Sequence, residues 1–197
     1  MREMIKMVVV LTVLSSLSGG LLAAIRNETK DKIENQQLQF VKGPAIKVIL
    51  EEASNDPITD RFKLKVNGKE KSFFVGIFDG KPDTVAFECY GKGFGGDIGV
   101  MVAVKLESDE ILGVGVTTHS ETPGVGTRAK TDPALRNQFR GMELKDSYKV
   151  KTEGGQIDAL SGATVSSKGV CGAVTEAALK YNELKPQLVE NVKKFIR

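Results

Sequence analysis

The chain has 197 residues, with 28 Lys and Arg against 25 Asp and Glu, 41% hydrophobic and 27% charged content, one histidine, two cysteines and no tryptophan. That balance fits one globular domain plus a small extra segment, and it excludes wholesale disorder and a multi-pass membrane protein. The net charge of +3 is spread among interleaved acids and bases, so no nucleic-acid partner is indicated. Cys89 and Cys171 form neither a disulfide scaffold nor a metal spacing, and His119 alone excludes a His-rich metal centre. Any redox or catalytic function is therefore expected to be borrowed from a cofactor.

The first element is Met7 to Ile25, an uncharged stretch that follows MREMIK and is long enough to cross a bilayer as a helix. Its small residues, Ser15, Ser16, Ser18, Gly19 and Gly20, would let a neighbouring membrane helix approach closely. A cleaved secretory signal shares the basic start and apolar run. The length of the stretch, and its direct passage into RNETKDKIENQQ, favour an uncleaved anchor. Arg2 and Lys6 compete with Arg26, Lys30 and Lys32 in the positive-inside count; the short N-terminal flank favours the N-terminus inside and the rest outside. From Arg26 to about Glu52 the pattern predicts a helix with Ile33, Gln37, Phe40 and Val41 on one side and a break at Gly43-Pro44. The expected organisation is residues 1–25 as N-terminus and span, 26–55 as a helical stalk and 56–197 as a single domain.

β-like runs follow at Phe62 to Val66, Phe73 to Phe78, Thr84 to Tyr90, Ile98 to Leu106 and Ile111 to Thr118. Asn67-Gly68 and Ser108-Asp109-Glu110 have the composition of tight turns, so a largely antiparallel sheet is expected. Asp132-Pro133 introduces a predicted helix to Gly141 as N-cap and first helical residue. Tyr148 to Lys151 reads as a short strand before Gly154-Gly155. After Thr164, the spacing of Val170, Ala173, Val174, Ala177, Ala178 and Tyr181 predicts a helix packed by one face on the sheet. The fold class is α+β.

Asp158-Ala159-Leu160-Ser161-Gly162-Ala163-Thr164 stands directly before that helix, with Val165-Ser166-Ser167 after it. Two readings share one geometry. Thr164 caps the helix with its hydroxyl, or the free amides and partial positive charge of the helix start hold a phosphate that the hydroxyl carries.

Asp158 to Thr164 resembles the flavinylation pattern of the FMN-binding domain family, in which the final Thr is esterified to the phosphate of FMN. Gly91 to Ile98 looks like that family's glycine-rich lead-in to a strand, and His119-Ser120-Glu121-Thr122-Pro123-Gly124-Val125-Gly126 looks like its second signature, with Val-Gly where Leu-Gly is common. The order of anchor, stalk, sheet, two signatures and terminal helix is similar to the G-subunit family of Rnf complexes, membrane-bound ferredoxin:NAD oxidoreductases. The C subunit of the sodium-translocating NADH:quinone reductase is the nearest alternative, and the shortness of this chain favours the Rnf family.

The resemblance implies one membrane helix in the cytoplasmic membrane, followed by an FMN-binding domain on its outer side, with FMN joined covalently to Thr164. A flavin transferase would perform that attachment, and other membrane and redox subunits would be the partners. Around the acceptor, Ser161, Gly162, Ala163 and Val165 would contact the cofactor. Ser120, Glu121, Thr122, Gly124 and Val125 would form a wall for the flavin ring, Thr122 and Glu121 by bonding and Val125 by packing. The same loop also reads as a Pro-Gly turn closing a strand. Asp158 would position the acceptor or a metal during modification, or simply form a turn. Gly162 is expected to permit close backbone approach. No independent catalytic site and no resident metal are expected.

An anchored hydrolase using His119, Ser120 or Ser166 is the competing class. It lacks a GxSxG elbow, and Lys168 follows neither Ser161 nor Ser166 in a Ser-x-x-Lys frame. A non-redox interaction module with an ordinary capped helix is the third reading.

Overall fold

A computed structural model of the chain describes residues 1–144 and 147–195. It contains two compact units, Met1–Leu38 and Gln39–Arg197. The first is almost entirely helix α1 (Arg2–Gln36). Within residues 2–30 of α1 an 18-residue stretch has a mean hydropathy of 2.2, and the helix is long and apolar enough to cross a membrane. The helical backbone then widens into a π-turn, Gln37–Lys42, and resumes as α2 (Gly43–Ile49), with Pro44 in its first turn. The expected break at Gly43-Pro44 is thus a change of helical pitch. Proline lacks an amide and crowds the carbonyl four residues back, and a π-turn is one way for a helix to accommodate such an interruption.

The second unit is built on five antiparallel strands in sequential order, β1 (Arg61–Val66), β2 (Lys69–Phe78), β3 (Lys81–Lys92), β4 (Asp97–Lys105) and β5 (Ile111–Thr118). Their positions follow the predicted runs, and Asn67-Gly68 adopts positive φ at both residues, as a tight hairpin of matching twist requires. Phe73 faces Phe87 across β2 and β3, and Phe87 faces Val102 across β3 and β4. On the edge strand β1, Lys63 and Lys65 are exposed, which discourages pairing with another chain.

Both faces of the sheet are covered. Helix α5 (Thr164–Val192) packs on β3 and β4, burying Val85, Phe87, Cys89, Val100 and Val102 against Val170, Ala173, Val174, Ala177 and Tyr181. The small residues of α5 let it lie close to the strands. A Cβ on Gly91 would stand 1.9 Å from the Gly169 carbonyl oxygen and 2.6 Å from the Ala173 nitrogen, so only glycine fits there. On the opposite face α2 packs on β5, with Ile49 and Ala45 over Gly113 and Gly115 and Ile46 fully buried.

Between β5 and α5 the chain forms two short helices, α3 (Arg128–Thr131) and α4 (Pro133–Arg136), the latter continued by a 3-10 turn to Phe139. Asp132 caps α4 as expected, its carboxylate accepting the Ala134 amide at 2.9 Å. The predicted strand at Tyr148 to Lys151 reduces to an isolated bridge between Val150 and Ile157. A 3-10 turn at Lys151–Glu153 curls the backbone at once, so the segment bonds back on itself through Lys151 N–H to the Ile157 carbonyl and cannot extend along the sheet.

Glu88 of β3 is a buried carboxylate. It receives the Lys42 ammonium at 2.7 Å, the Tyr90 hydroxyl at 2.7 Å and the Thr117 hydroxyl. Burial alone would raise its pKa, but Lys42 and the hydroxyls of Thr117 and Tyr90 outweigh that and hold it below the usual carboxylate range. A folded-state pKa below the unfolded value stabilises the fold above the unfolded value of about 4.3, and the contribution fades as pH falls through the folded value. Glu88→Gln is expected to flatten the acid limb of the stability–pH curve, measured by unfolding between acid and neutral pH. Gly91→Ala is expected to cost about 1–3 kcal/mol by pushing α5 off the sheet, read from denaturant midpoints.

Candidate functional site

The segment before α5 turns through Gly162, whose φ of +77° is left-handed. Apart from its chain neighbours, no described protein atom lies within 4 Å of where its Cβ would stand, so the backbone dihedral, rather than crowding by the protein, requires glycine here. Ser167 locks the turn from inside: its buried hydroxyl accepts the Leu160 amide and donates to the Ala163 carbonyl, each at 3.0 Å.

That lock moves the cap by one residue. Ala163 is the N-cap and makes no side-chain capping bond, and Thr164 is the first helical residue. The Thr164 hydroxyl therefore does not cap the helix, contrary to the plain capping expectation. Among the described residues it has no hydrogen-bond partner, and the amides of Thr164, Val165 and Ser166 have no acceptor. The first turn of a 29-residue helix thus presents free N–H groups and partial positive charge beside a half-exposed hydroxyl. Ser166 and Ser167 are buried and their hydroxyls engaged, which leaves Thr164 as the available hydroxyl of that turn.

Glu121 gathers the site. Its buried carboxylate accepts the Gly95 amide at 2.8 Å through Oε1 and the Ser166 hydroxyl through Oε2. One side chain therefore joins the glycine-rich loop, the second signature and the start of α5. The two loops are also in close backbone contact, since a Cβ on Gly95 would fall 2.0 Å from the Ser120 carbonyl oxygen. Both Glu121 oxygens being engaged by protein groups, its contribution here is to hold these segments together.

Residues Ser120 and Thr122 to Val125 of the second signature lie on the surface, whereas Gly126 is buried against Glu121 and Ser166. Thr122 accepts the amides of Val125 and Thr127 at 3.2 Å each, and Gly124 donates to the Thr127 hydroxyl, which closes a compact turn. Ser120, Thr122 and Gly124 are exposed, as are Ser161 and Gly162. Val125 and Val165, each 45% exposed, present apolar surface. His119 accepts the Glu121 amide through Nδ1 at 3.4 Å. With His119 turned to a backbone amide and Ser166 to a carboxylate, the nucleophile–base pair of the hydrolase reading is not assembled.

Asp158 is exposed and pairs with Lys151 at 2.7 Å, while Gln138 holds both its amide and its carbonyl. Its backbone is fixed through α4's continuation, as a turn residue would be. Arg128 escaped sequence reasoning. Its guanidinium donates to the Ser161 carbonyl at 3.0 Å and to Asp132 at 3.1 Å, setting a positive charge against the turn that carries Thr164. The Ala134 amide and Arg128 hold the Asp132 carboxyl below the usual carboxylate range. The four-residue spacing of Arg128 and Asp132 was the available signal.

The FMN-binding domain family matches residues 93–179, which run from the glycine-rich loop into α5. The G subunit of the ion-translocating oxidoreductase complex of Vibrio cholerae is 30% identical over 193 residues, covering 91% of this chain and 90% of that one. The G subunit of the proton-translocating ferredoxin:NAD(+) oxidoreductase complex of Clostridium ljungdahlii is 31% identical over 169 residues, covering 85% of each. In fold, the chain is similar to the crystal structure of Shewanella oneidensis NqrC, with a TM-score of 0.53 and 29% identity over 71% of this chain and 73% of that one. With its N-terminal apolar helix, five-stranded antiparallel sheet and FMN-binding signature region, the chain belongs to the G-subunit family of ion-translocating oxidoreductase complexes.

Proposed function

We propose that the chain is an electron-transfer subunit of a membrane-bound ion-translocating ferredoxin:NAD oxidoreductase complex and relays electrons through FMN attached to Thr164. The observation that carries this reading is the Thr164 hydroxyl, unengaged at an unsatisfied helix N-terminus while Ser166 and Ser167 beside it are buried and bonded. The near-full-length match to G-subunit relatives favours this role over the C subunit of a sodium-translocating NADH:quinone reductase.

Attachment is a transfer performed by a separate flavin transferase. A bond forms between Thr164 Oγ and the FMN phosphorus of FAD as the pyrophosphate bond breaks, AMP leaves, and the hydroxyl gives up its proton. The residues present fit the product. The amides of Thr164, Val165 and Ser166 would hold the remaining negative charge of the phosphodiester, with Arg128 adding a cation on the Ser161 side. Ser161, Gly162 and Ala163 shape the turn. Val125 and Val165 offer apolar contact to the ring, and Ser120, Thr122 and Gly124 supply the exposed turn beside it. When bound, FMN supplies the electron-accepting and electron-donating chemistry. Glu121 keeps the three cofactor-facing segments in register.

Residues 1–25 would form the inner flank and the span in the cytoplasmic membrane, residues 26–55 the stalk, whose α2 end is packed on β5, and residues 56–197 the FMN-binding domain on the outer side. Covalent linkage would keep the cofactor from being lost there. The partners would be the other membrane and redox subunits.

Co-expression with a flavin transferase is expected to yield a denatured chain that carries one FMN by intact mass and fluoresces in a gel; a flavin-free wild-type chain would refute the reading. Thr164→Ala is expected to abolish attachment yet change stability by no more than about 0.5 kcal/mol, because the hydroxyl makes no capping bond. Arg128→Ala is expected to lower the fraction of flavinylated chains with Thr164 intact, read from the flavin-to-protein absorbance ratio.

A further inference from the structure

Among the described residues, Phe94 is the most exposed large apolar side chain of the second unit, at 77%. The sheet does not need it there, since β3 ends at Lys92 and β4 begins at Asp97. Exposing an aromatic ring forfeits the free energy its burial would contribute, so an exposed phenyl on a held loop beside the candidate site points to the ligand as its cover.

The loop that carries it is held. The Gly93 amide bonds to the Gly96 carbonyl at 2.8 Å, and the Gly95 amide, one bond beyond Phe94, bonds to Glu121 Oε1 at 2.8 Å. The other oxygen of that carboxylate takes the Ser166 hydroxyl in the first turn of α5. The backbone of Phe94 and the turn that presents Thr164 therefore stand on either side of one carboxylate. Val125 and Val165 add exposed apolar surface at the same confluence of loops.

We propose that Phe94 is the stacking platform for the isoalloxazine ring of FMN carried on Thr164. This rests on the Thr164 reading and adds a specific contact to it. A flat, fused aromatic ring is matched by the face of a phenyl group, which stacks in offset geometry and excludes water from one side. A rigid loop keeps the ordering cost of that contact small. With one face against Phe94, the other face and the rim of the ring remain for the redox partner.

The test uses the full chain co-expressed with a flavin transferase. Because the chain has no tryptophan, an indole placed at position 94 is the one such group that could quench the flavin by donating an electron to its excited state at contact distance. Phe94→Trp is expected to retain covalent FMN by intact mass, to lose flavin emission severalfold when folded, and to regain it on denaturation. Phe94→Ala is expected to keep the flavin and to show a severalfold increase in quenching of its emission by iodide. A loaded Phe94→Trp chain that emits like wild type, or a loaded Phe94→Ala chain with unchanged iodide quenching, overturns the platform and leaves attachment at Thr164 standing. A folded Phe94→Ala chain that takes no flavin also overturns it, assigning Phe94 to recognition by the transferase. A wild-type chain without covalent flavin overturns the Thr164 assignment and this proposal together.

Discussion

The carboxylate of Glu121 is the tie on which the geometry of the site depends. It bonds a backbone amide 26 positions earlier and a hydroxyl 45 positions later, both from a buried position. A buried carboxylate that lost either partner would be left with uncompensated polarity in a region of low dielectric, so the three segments are bound to one arrangement. Two of them, the loop after β3 and the turn after β5, lie outside the strands and helices, and the carboxylate fixes them to the start of α5. The loop after β3, the turn after β5 and the first turn of α5 come from different parts of the fold and meet at this side chain.

The sheet supplies the frame. A sequential antiparallel meander places the end of β3 and the start of β4 beside the end of β5, and α5 lies across β3 and β4 at van der Waals distance because Gly91 and Gly169 have no side chains. Helix α5 is long because its apolar stripe follows the strands for several turns, and its N-terminus comes to rest where the loops converge. The long packed helix thus aims a set of free amides at a place the strands define. Ser167 then finishes the alignment by bonding both sides of the preceding turn.

The elements with strong local signals are legible in the sequence. All five strands are announced by apolar alternation or by continuous apolar runs, and the Asn67-Gly68 hairpin by turn composition, because such patterns are decided by neighbours in sequence. The α5 stripe and the Asp132 cap are readable for the same reason. What is not readable depends on partners far along the chain. The cap at Ala163, one residue before the expected Thr164, follows from a serine seven residues after Leu160 that reaches back into the turn. The engagement of Glu121 by two protein groups is invisible to a motif that sets it beside Thr122. Arg128 is meaningful only through its contact with Ser161, and the Tyr148 to Lys151 run looks like a strand because nothing local reveals that it folds back on Ile157.

The two cysteines carry a consequence of their own. Cys89 and Cys171 are free and buried on facing elements of the core, β3 and α5, and burial pushes both thiols up to about 12. A thiol reacts as its thiolate, so at neutral pH both sulfurs are chemically quiet. In a chain that handles electrons this matters, because an accessible thiolate would form adducts, take up oxidising equivalents or bridge to another protein. The packing that fills the core thereby also insulates it, keeping sulfur chemistry out of the interior of an electron-transfer subunit.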